Sequence, residues 1–598
     1  ILPALPAVPQ SSAVTKGSSR CMKNIPAAFG REASAPSGAV DAEATHRLSR
    51  RAALAIVAFG ATLYGIHLGD VRALTFHEIV FAQPAREMVR EGRWLVPTIG
   101  GQPQFDRTPV TAWCIAGAMK LFGSEAEWVV RLPAVVAAIA TALMIGALGA
   151  RWFGARIGLW AGLMQTTTYY ALAMGRLAEA DMLVCATVTA AMFAFAAAHV
   201  DGPLPRSQAR WLPWAFHGAV AASFMVKWAL GPAFVLAACL AYAAAARDRS
   251  VVKFLLNPGG VLVQLLIVVP WLAAAYHYHP TVVEHIYINH FRRFNGDMGM
   301  LEPWYSYTYD VPLLLLPWTP LIVPAVAARR ARRAPIEPVW KLFAAWFVPG
   351  IVLLSCSSFH SRNYAIALMP PLSIVAAVGL EEYLRRRAAS TRTAGKLLPA
   401  ITIVAGCAAV AGLLRRRHAD AEALAMLAGL VAAGLLLAQR FEAHRRFNHA
   451  AAALFATVWI VAVGAQTWVM PWHDSFRPLA ELGRRVGDHA PADAVVHLVQ
   501  LPEVQVPFYI DRRVRSWPRV EEFDSAGLAR PSEPTYVVTS RDYVDRLAAT
   551  ARLEVLDAAE RKSRLPQDRD RLVLLRVLPA ASADASRTAG RAPTNAPR

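Results

Sequence analysis

The sequence predicts an α-helical membrane protein with about 13 transmembrane spans and a small water-soluble domain of α/β or α+β type after the last of them. Three observations carry this. Of 598 residues, 55% are hydrophobic and only 17% are charged, too little polar surface for a soluble enzyme of this length. Apolar runs of roughly 17–25 residues recur from Arg51 to Met470, each long enough to cross about 30 Å of hydrocarbon. Backbone groups in lipid must find their partners internally, which selects helices for these runs. Finally, the net charge of +20 is gathered in clusters between the runs: "RLSRR" before the first, "RDRSVVK" near Arg247, "RRARR" from Arg329 and "RRR" from Arg385. That is the positive-inside pattern of a membrane protein, and it argues against nucleic acid as a partner.

Residues 1–48 are rich in Ala, Ser, Pro and Gly and are expected to form a disordered cytoplasmic leader. The membrane domain covers residues 49–470. Its expected spans are 51–68, 126–148, 155–173, 182–200, 211–228, 229–246, 254–276, 308–328, 339–357, 363–380, 396–414, 421–438 and 451–470. The apolar segment 109–123 is short for a span, and its "KLFG" ending suggests an interfacial helix. Starting inside at "RLSRR" and alternating puts the other basic clusters inside, except "RRR" at Arg415. The same alternation puts the 69–128 loop, Asp181, the 277–307 loop and the "SFHSRN" turn at Ser358 outside. After Met470, short alternating runs such as "AVVHLVQ" and "RLVLLRVL" predict strands between helical stretches, a periplasmic domain over 471–579. Residues 580–598 read as a disordered tail. Five of the six cysteines (Cys114, Cys185, Cys239, Cys356 and Cys407) lie in apolar stretches, and no pair has CxxC spacing, so they read as small buried hydrophobes.

This topology gathers polar residues from four separate stretches at one membrane face: His77, Glu78, Asp106, Arg107, Asp181, His290, Arg362 and Tyr364. His77-Glu78 is placed in a loop before a helix that starts with Pro84 at its first position and ends at Gly92. Asp181 precedes an apolar span, where it can cap the helix or act as a general base; Glu78 is either a base or a solvated loop charge. Arg86, Arg107, Arg131 and Arg362 sit on the side where basic residues are depleted. They match a phosphate, or else pair with local acids such as Asp106 and Glu87. His285, His290 and Asp297 are candidate ligands or plain loop residues. Trp304, Tyr305 and Tyr307 fit an interfacial aromatic belt and can also stack on a sugar.

The order of these features resembles a known family. A charged pair follows the first span. Then come "AREMVREGRWLVPTIGGQPQFDRTP", "RLAEAD" before the fourth span, "EHIYINHFRRF" with "EPWYSY", and Tyr364 ahead of Pro370-Pro371. Over roughly residues 50–390 the chain resembles the GT-C membrane glycosyltransferases of the protein O-mannosyltransferase group, and within it the bacterial transferases that add aminoarabinose to lipid A. The resemblance implies an inverting glycosyltransferase in the bacterial inner membrane, with its active site facing the periplasm. It takes a sugar from a polyprenyl-phosphate donor and passes it to an envelope glycolipid or a secreted protein, among membrane lipids. His77-Glu78 falls on the family's paired acids and Asp181 on its second acid, so these three are the expected catalytic residues. Arg107, Tyr364, Arg362 and Arg86 are expected on the carrier phosphate. Asp106 and His290 are expected to hold a divalent metal ion (Zn, Mg or Mn), with no organic cofactor. The chain departs from the pattern where the leading acid is His77, the following arginine is Val80, the motif lysine is Arg107 and Pro-Pro is Thr108-Pro109. The base therefore rests on Glu78, Asp181 or His77. The other readings are a transporter or flippase for a lipid-linked substrate and a non-catalytic envelope assembly protein. A transporter needs ionisable groups at mid-span, and Lys227, the main one, lies near an outer end.

Overall fold

The first apolar run forms α1 (Arg50–Gly65), opened by the Ser49 hydroxyl, which accepts the Ala52 N–H. This computed structural model describes residues 46–579, except 71–72, 100–101, 106, 202–205, 289–291, 293–302, 333–334, 358–359, 390–420, 470–477, 502–507, 518, 529–530, 532 and 561–570. The expected metal pair, Asp106 and His290, the expected span 396–414, the leader to residue 45 and the tail from 580 all lie outside the described residues.

Helix α2 (Phe76–Glu91) starts eight residues before the position expected from Pro84. The Thr75 hydroxyl accepts the Glu78 N–H and the Glu78 carboxylate accepts the Thr75 N–H, a capping box that satisfies two orphan donors. That reciprocal cap sets the start, and Pro84 is carried inside the helix. The end at Gly92, left-handed at φ 74°, is as expected. A short β1–β2 hairpin (Thr98–Ile99, Gln102–Pro103) leads into α3 (Val110–Phe122), the short apolar helix, and α4 (Glu127–Phe153). The chain continues through α5 (Ala155–Thr167), α6 (Tyr169–Met174), α7 (Ala180–His199), α8 (Arg206–Lys227), α9 (Leu230–Ala246) and α10 (Ser250–Leu255). Then come α11 (Pro258–Tyr278), α12 (Val282–Tyr287), α13 (Tyr307–Leu314), α14 (Ile322–Ala331), α15 (Pro338–Ser355), α16 (Pro370–Ala389), α17 (Ala421–Ala443) and α18 (Phe447–Gly464).

Among the described residues six helices are long and apolar enough to cross a membrane: α4, α7, α11, α15, α17 and α18. The number is eight if two bent pairs count as one span each. These numbers cover the described residues only, which leave out the expected span 396–414, and several of the other expected runs are short or interrupted. The 155–173 run breaks at Thr168, whose hydroxyl opens α6. The 308–328 run bends by 101° around Pro317, and the 363–380 run bends by 65° at Pro370. Proline lacks the N–H that would carry a helix through such points. Small residues let α4 and α5 approach closely: a Cβ on Gly158 would meet the Gly146 carbonyl oxygen at 2.5 Å.

The C-terminal region folds as a five-stranded sheet of order β4-β3-β5-β7-β6. Strands β3 (Val495–Val499), β4 (Arg513–Trp517) and β5 (Thr535–Ser540) are parallel, while β6 (Arg552–Glu560) and β7 (Arg571–Leu578) complete it antiparallel. Helix α19 (Pro478–His489) packs Leu482 and Val486 against Val496 and Leu498 on one face. Val520 and Phe523 of α20 (Val520–Ser525) and Leu547 of α21 (Val544–Ala548) cover Val499, Val537 and Leu575 on the other. The sheet domain meets the membrane domain at α2. Arg86 donates to the Phe508 carbonyl (2.7 Å), the Tyr509 hydroxyl accepts the Leu74 N–H, Arg90 bridges Glu125 and Asp511, and Arg484 pairs with Glu127.

One core histidine makes this domain pH-sensitive. His497 accepts the Trp517 indole N–H on Nδ1 (2.8 Å), and burial, with Arg515 adding to it, lowers its pKa to about 4. The unfolded chain takes up that proton near pH 6.5, so the folded domain loses stability as the pH falls from there towards 4. Tryptophan fluorescence melts of the parent should show that loss, and melts of His497→Gln should not.

Candidate functional site

The two acid positions of the expected pair face different surroundings. Glu78 is fully buried and saturated. One carboxylate oxygen accepts the Arg131 Nε–H (2.7 Å) and the Ala178 N–H (3.2 Å); the other accepts the Thr75 N–H (2.8 Å) and an Arg131 Nη2–H (3.3 Å). Arg131 also donates to the Leu68 and Ala73 carbonyls. This ion pair ties α2, α4 and the segment before α7 together. Glu78 is thus not the solvated loop charge considered from sequence, and Arg131 pairs with an acid far along the chain instead of standing free for a phosphate.

His77, its neighbour in sequence, is exposed. Its pKa is lowered by desolvation and by the Arg107 and Lys227 charges, with Asp181 opposing. The ring therefore carries a neutral nitrogen at pH 7 and shares the field of three other charged groups. Arg107 sits one helical turn along, 5.9 Å from the centroid of the Phe81 ring.

Asp181 lies in the first turn of α7 without capping it by a hydrogen bond. Instead it receives Lys227 Nζ at 2.6 Å. An acid at a helix start and a lysine at the end of the neighbouring helix both sit at the favourable pole of their helix. The same Nζ stands 5.0 Å from the centroid of the Tyr364 ring. Tyr364 is carried by a 3-10 turn (Arg362–Leu368) packed on α7, where the Cys185 thiol donates to the Ile366 carbonyl. His77, Arg107, Asp181, Lys227 and Tyr364 thus come together from five elements, with one carboxylate, two cations, one imidazole and one phenol.

The other expected phosphate ligands are engaged elsewhere. Arg86 pairs with Glu125 (2.9 Å) and lies over the Phe508 ring (4.1 Å), as part of the docking of the sheet domain. Arg362 donates its Nε–H to Asp310 (2.6 Å), near the Tyr307–Ser361 hydrogen bond. Phe105, next to Asp106, packs on His279 and His285 at 5.6 Å each, so the two loops expected to carry the metal pair touch. Among the described residues no group of three His, Cys, Asp or Glu side chains could hold a metal ion. Lys227 is the site member that sequence reasoning missed. The available signal was a lysine at the outer end of a span, where cations are depleted.

The comparisons with known proteins agree with this architecture. Residues 106–273 match the family described as dolichyl-phosphate-mannose-protein mannosyltransferase. The chain is 25% identical to an undecaprenyl phosphate-alpha-4-amino-4-deoxy-L-arabinose arabinosyl transferase of Pseudomonas savastanoi pv. phaseolicola over 398 residues, which span 64% of this chain and 72% of that protein. It is 26% identical to the protein of the same name from Edwardsiella ictaluri over 341 residues, 56% of this chain and only 60% of that protein. The crystal structure of ArnT from Cupriavidus metallidurans bound to undecaprenyl phosphate superposes with a TM-score of 0.74 at 20% identity, covering 87% of this chain and 97% of that one. Its apo form gives a TM-score of 0.72. The chain has the GT-C fold of a multi-pass membrane protein, with the small C-terminal sheet domain.

Proposed function

We propose that this GT-C chain is an inverting glycosyltransferase. It moves a sugar from a polyprenyl-phosphate donor to an envelope lipid of the lipid A type, at the periplasmic face of the bacterial inner membrane. The carrying observation is the gathering of His77, Arg107, Asp181, Lys227 and Tyr364 on this fold. The names of the similar arabinosyl transferases support a polyprenyl-phosphate sugar donor.

The chemistry follows from the charges. An acceptor hydroxyl attacks the anomeric carbon while its proton passes to His77. The bond from that carbon to the phosphate oxygen breaks, and its electron pair leaves with the carrier phosphate. Arg107, Lys227 and the Tyr364 hydroxyl receive the developing dianion. A single displacement inverts the anomeric centre. Asp181 holds Lys227 in place and favours the imidazolium that forms on His77. Glu78 positions: it fixes the first turn of α2, which carries His77. A divalent ion held by Asp106 and His290, as the resemblance implies, would add positive charge beside the leaving phosphate.

Purified protein given radiolabelled polyprenyl-phosphate sugars and a membrane extract tests the reading. Label is expected in the glycolipid fraction; label in secreted protein would redirect the acceptor, and transfer from no donor would refute the activity. The pH profile tests the base. The neutral ring is the active form, so kcat/KM should fall on acidification with a midpoint below 6.5. Bound donor adds an anion beside the ring, so the midpoint in kcat should lie higher. An acid limb unchanged in His77→Ala would contradict this assignment.

A further inference from the structure

A groove of about 870 Å³ opens between α9, α14 and α15, outside the site described above. Helix α15 measures its separation. Lys341 lies in the first turn and Cys356 caps the other end, about 22 Å away at 1.5 Å per residue. From Cys356 the chain runs on to Tyr364. Helix α9 gives the same reading, since it starts three residues after Lys227 and lines the groove with Ala241 and Ala245 near its far end. The groove is therefore at the opposite end of the bundle, beside the basic clusters of Arg247 and Arg329.

Its lining divides by chemistry. Among the described residues, Arg329, Arg330 and Lys341 supply three cations and no acidic residue lines it. Arg330 is exposed, and neither it nor Lys341 forms an ion pair among the described residues. Trp340 stands beside them, packed edge-on against Phe343 at 5.7 Å. The remaining wall is apolar, with Val326, Ile336 and Val348 exposed along it. Cations and an indole at one level, followed by an apolar wall along the helices, match a phosphate at the headgroup level and a hydrocarbon chain beneath it.

We propose that this groove binds one anionic phospholipid of the inner leaflet. Its phosphate sits on Arg330, Lys341 and Arg329, and one acyl chain lies along Ala344, Val348 and Pro349. The charge asymmetry favours this occupant, because the positive-inside end of the protein faces the leaflet surface that attracts basic groups.

Native mass spectrometry of the full chain, titrated with phosphatidylglycerol or phosphatidylcholine, tests this. Phosphatidylglycerol should bind with about tenfold or greater preference, and the double variant Arg330→Gln/Lys341→Gln should lose most of it. Ala344→Trp, which fills the apolar wall, should weaken phosphatidylglycerol without removing a charge. Arg247→Gln/Arg249→Gln, equal in charge but outside the lining, should keep the parent preference. Soluble glycerol 3-phosphate should not compete. Equal binding of both lipids, parent-like preference in the double variant, competition by glycerol 3-phosphate, or stronger binding of polyprenyl phosphate at this groove would each overturn the proposal. Detergent melting curves that match the parent show that the variants fold.

Discussion

Replacing His77 by alanine is expected to lower sugar transfer by roughly 10²–10⁴-fold, the usual contribution of a positioned general base. Donor binding should change little, because the cations that receive the phosphate, Arg107 and Lys227, are untouched. The argument rests on exclusion as much as on position. Glu78 has both oxygens occupied by four donors and no exposed surface. Asp181 is nearly buried and committed to Lys227 at 2.6 Å. His77 alone of the three is exposed, and desolvation, helped by the Arg107 and Lys227 charges, lowers its pKa so that the ring is ready to take a proton. The loss should therefore appear in kcat, with KM for the donor close to the parent value. A fall confined to KM would point to a binding role.

The second large effect concerns stability. Glu78→Gln leaves the Arg131 guanidinium buried without its counter-charge, and breaking a buried pair in this way costs about 3–5 kcal/mol. The variant should melt well below the parent in detergent, and any folded fraction should retain much of its turnover. Glu78→Leu/Arg131→Leu should recover part of the loss, since it removes both charges together. Recovery will be incomplete because Glu78 also caps α2 and Arg131 also holds the Leu68 and Ala73 carbonyls. A parent-like melting curve with abolished turnover would instead make Glu78 the base.

Much of this arrangement was legible in the sequence because hydropathy and charge are local. The apolar runs gave the helices, the alternating runs after Met470 gave the sheet domain, and the order of motifs gave the GT-C fold. The same order sets Asp181, Arg107 and Tyr364 at one membrane face, and in the structure Lys227 links Asp181 to the Tyr364 ring. Pairings across long separations were not legible. Glu78 and Arg131 are 53 residues apart, and nothing local marks one as the other's partner. Arg86, expected on a phosphate or beside Glu87, donates instead to the Phe508 carbonyl 422 residues later and pairs with Glu125. Helix α2 starts after Thr75 and not at Pro84 because the Thr75-Glu78 capping box satisfies two donors, and proline can be carried inside a helix. Lys227 lies near the outer end of its span, and its partner Asp181 sits on a neighbouring helix, a pairing that no local pattern marks.

The central claim is that this gathering of residues performs an inverting transfer with His77 as the base. A single-turnover reaction of purified protein with labelled polyprenyl-phosphate sugar and a lipid A-type acceptor tests it most directly, in the parent, His77→Ala and His77→Asp. The account predicts that the parent releases one carrier phosphate for each inverted glycolipid formed. His77→Ala should form almost none, and His77→Asp, which places an acid there, should recover part of the rate with its acid limb moved to lower pH. Equal product from His77→Ala and the parent, or carrier phosphate released without glycolipid, would contradict it.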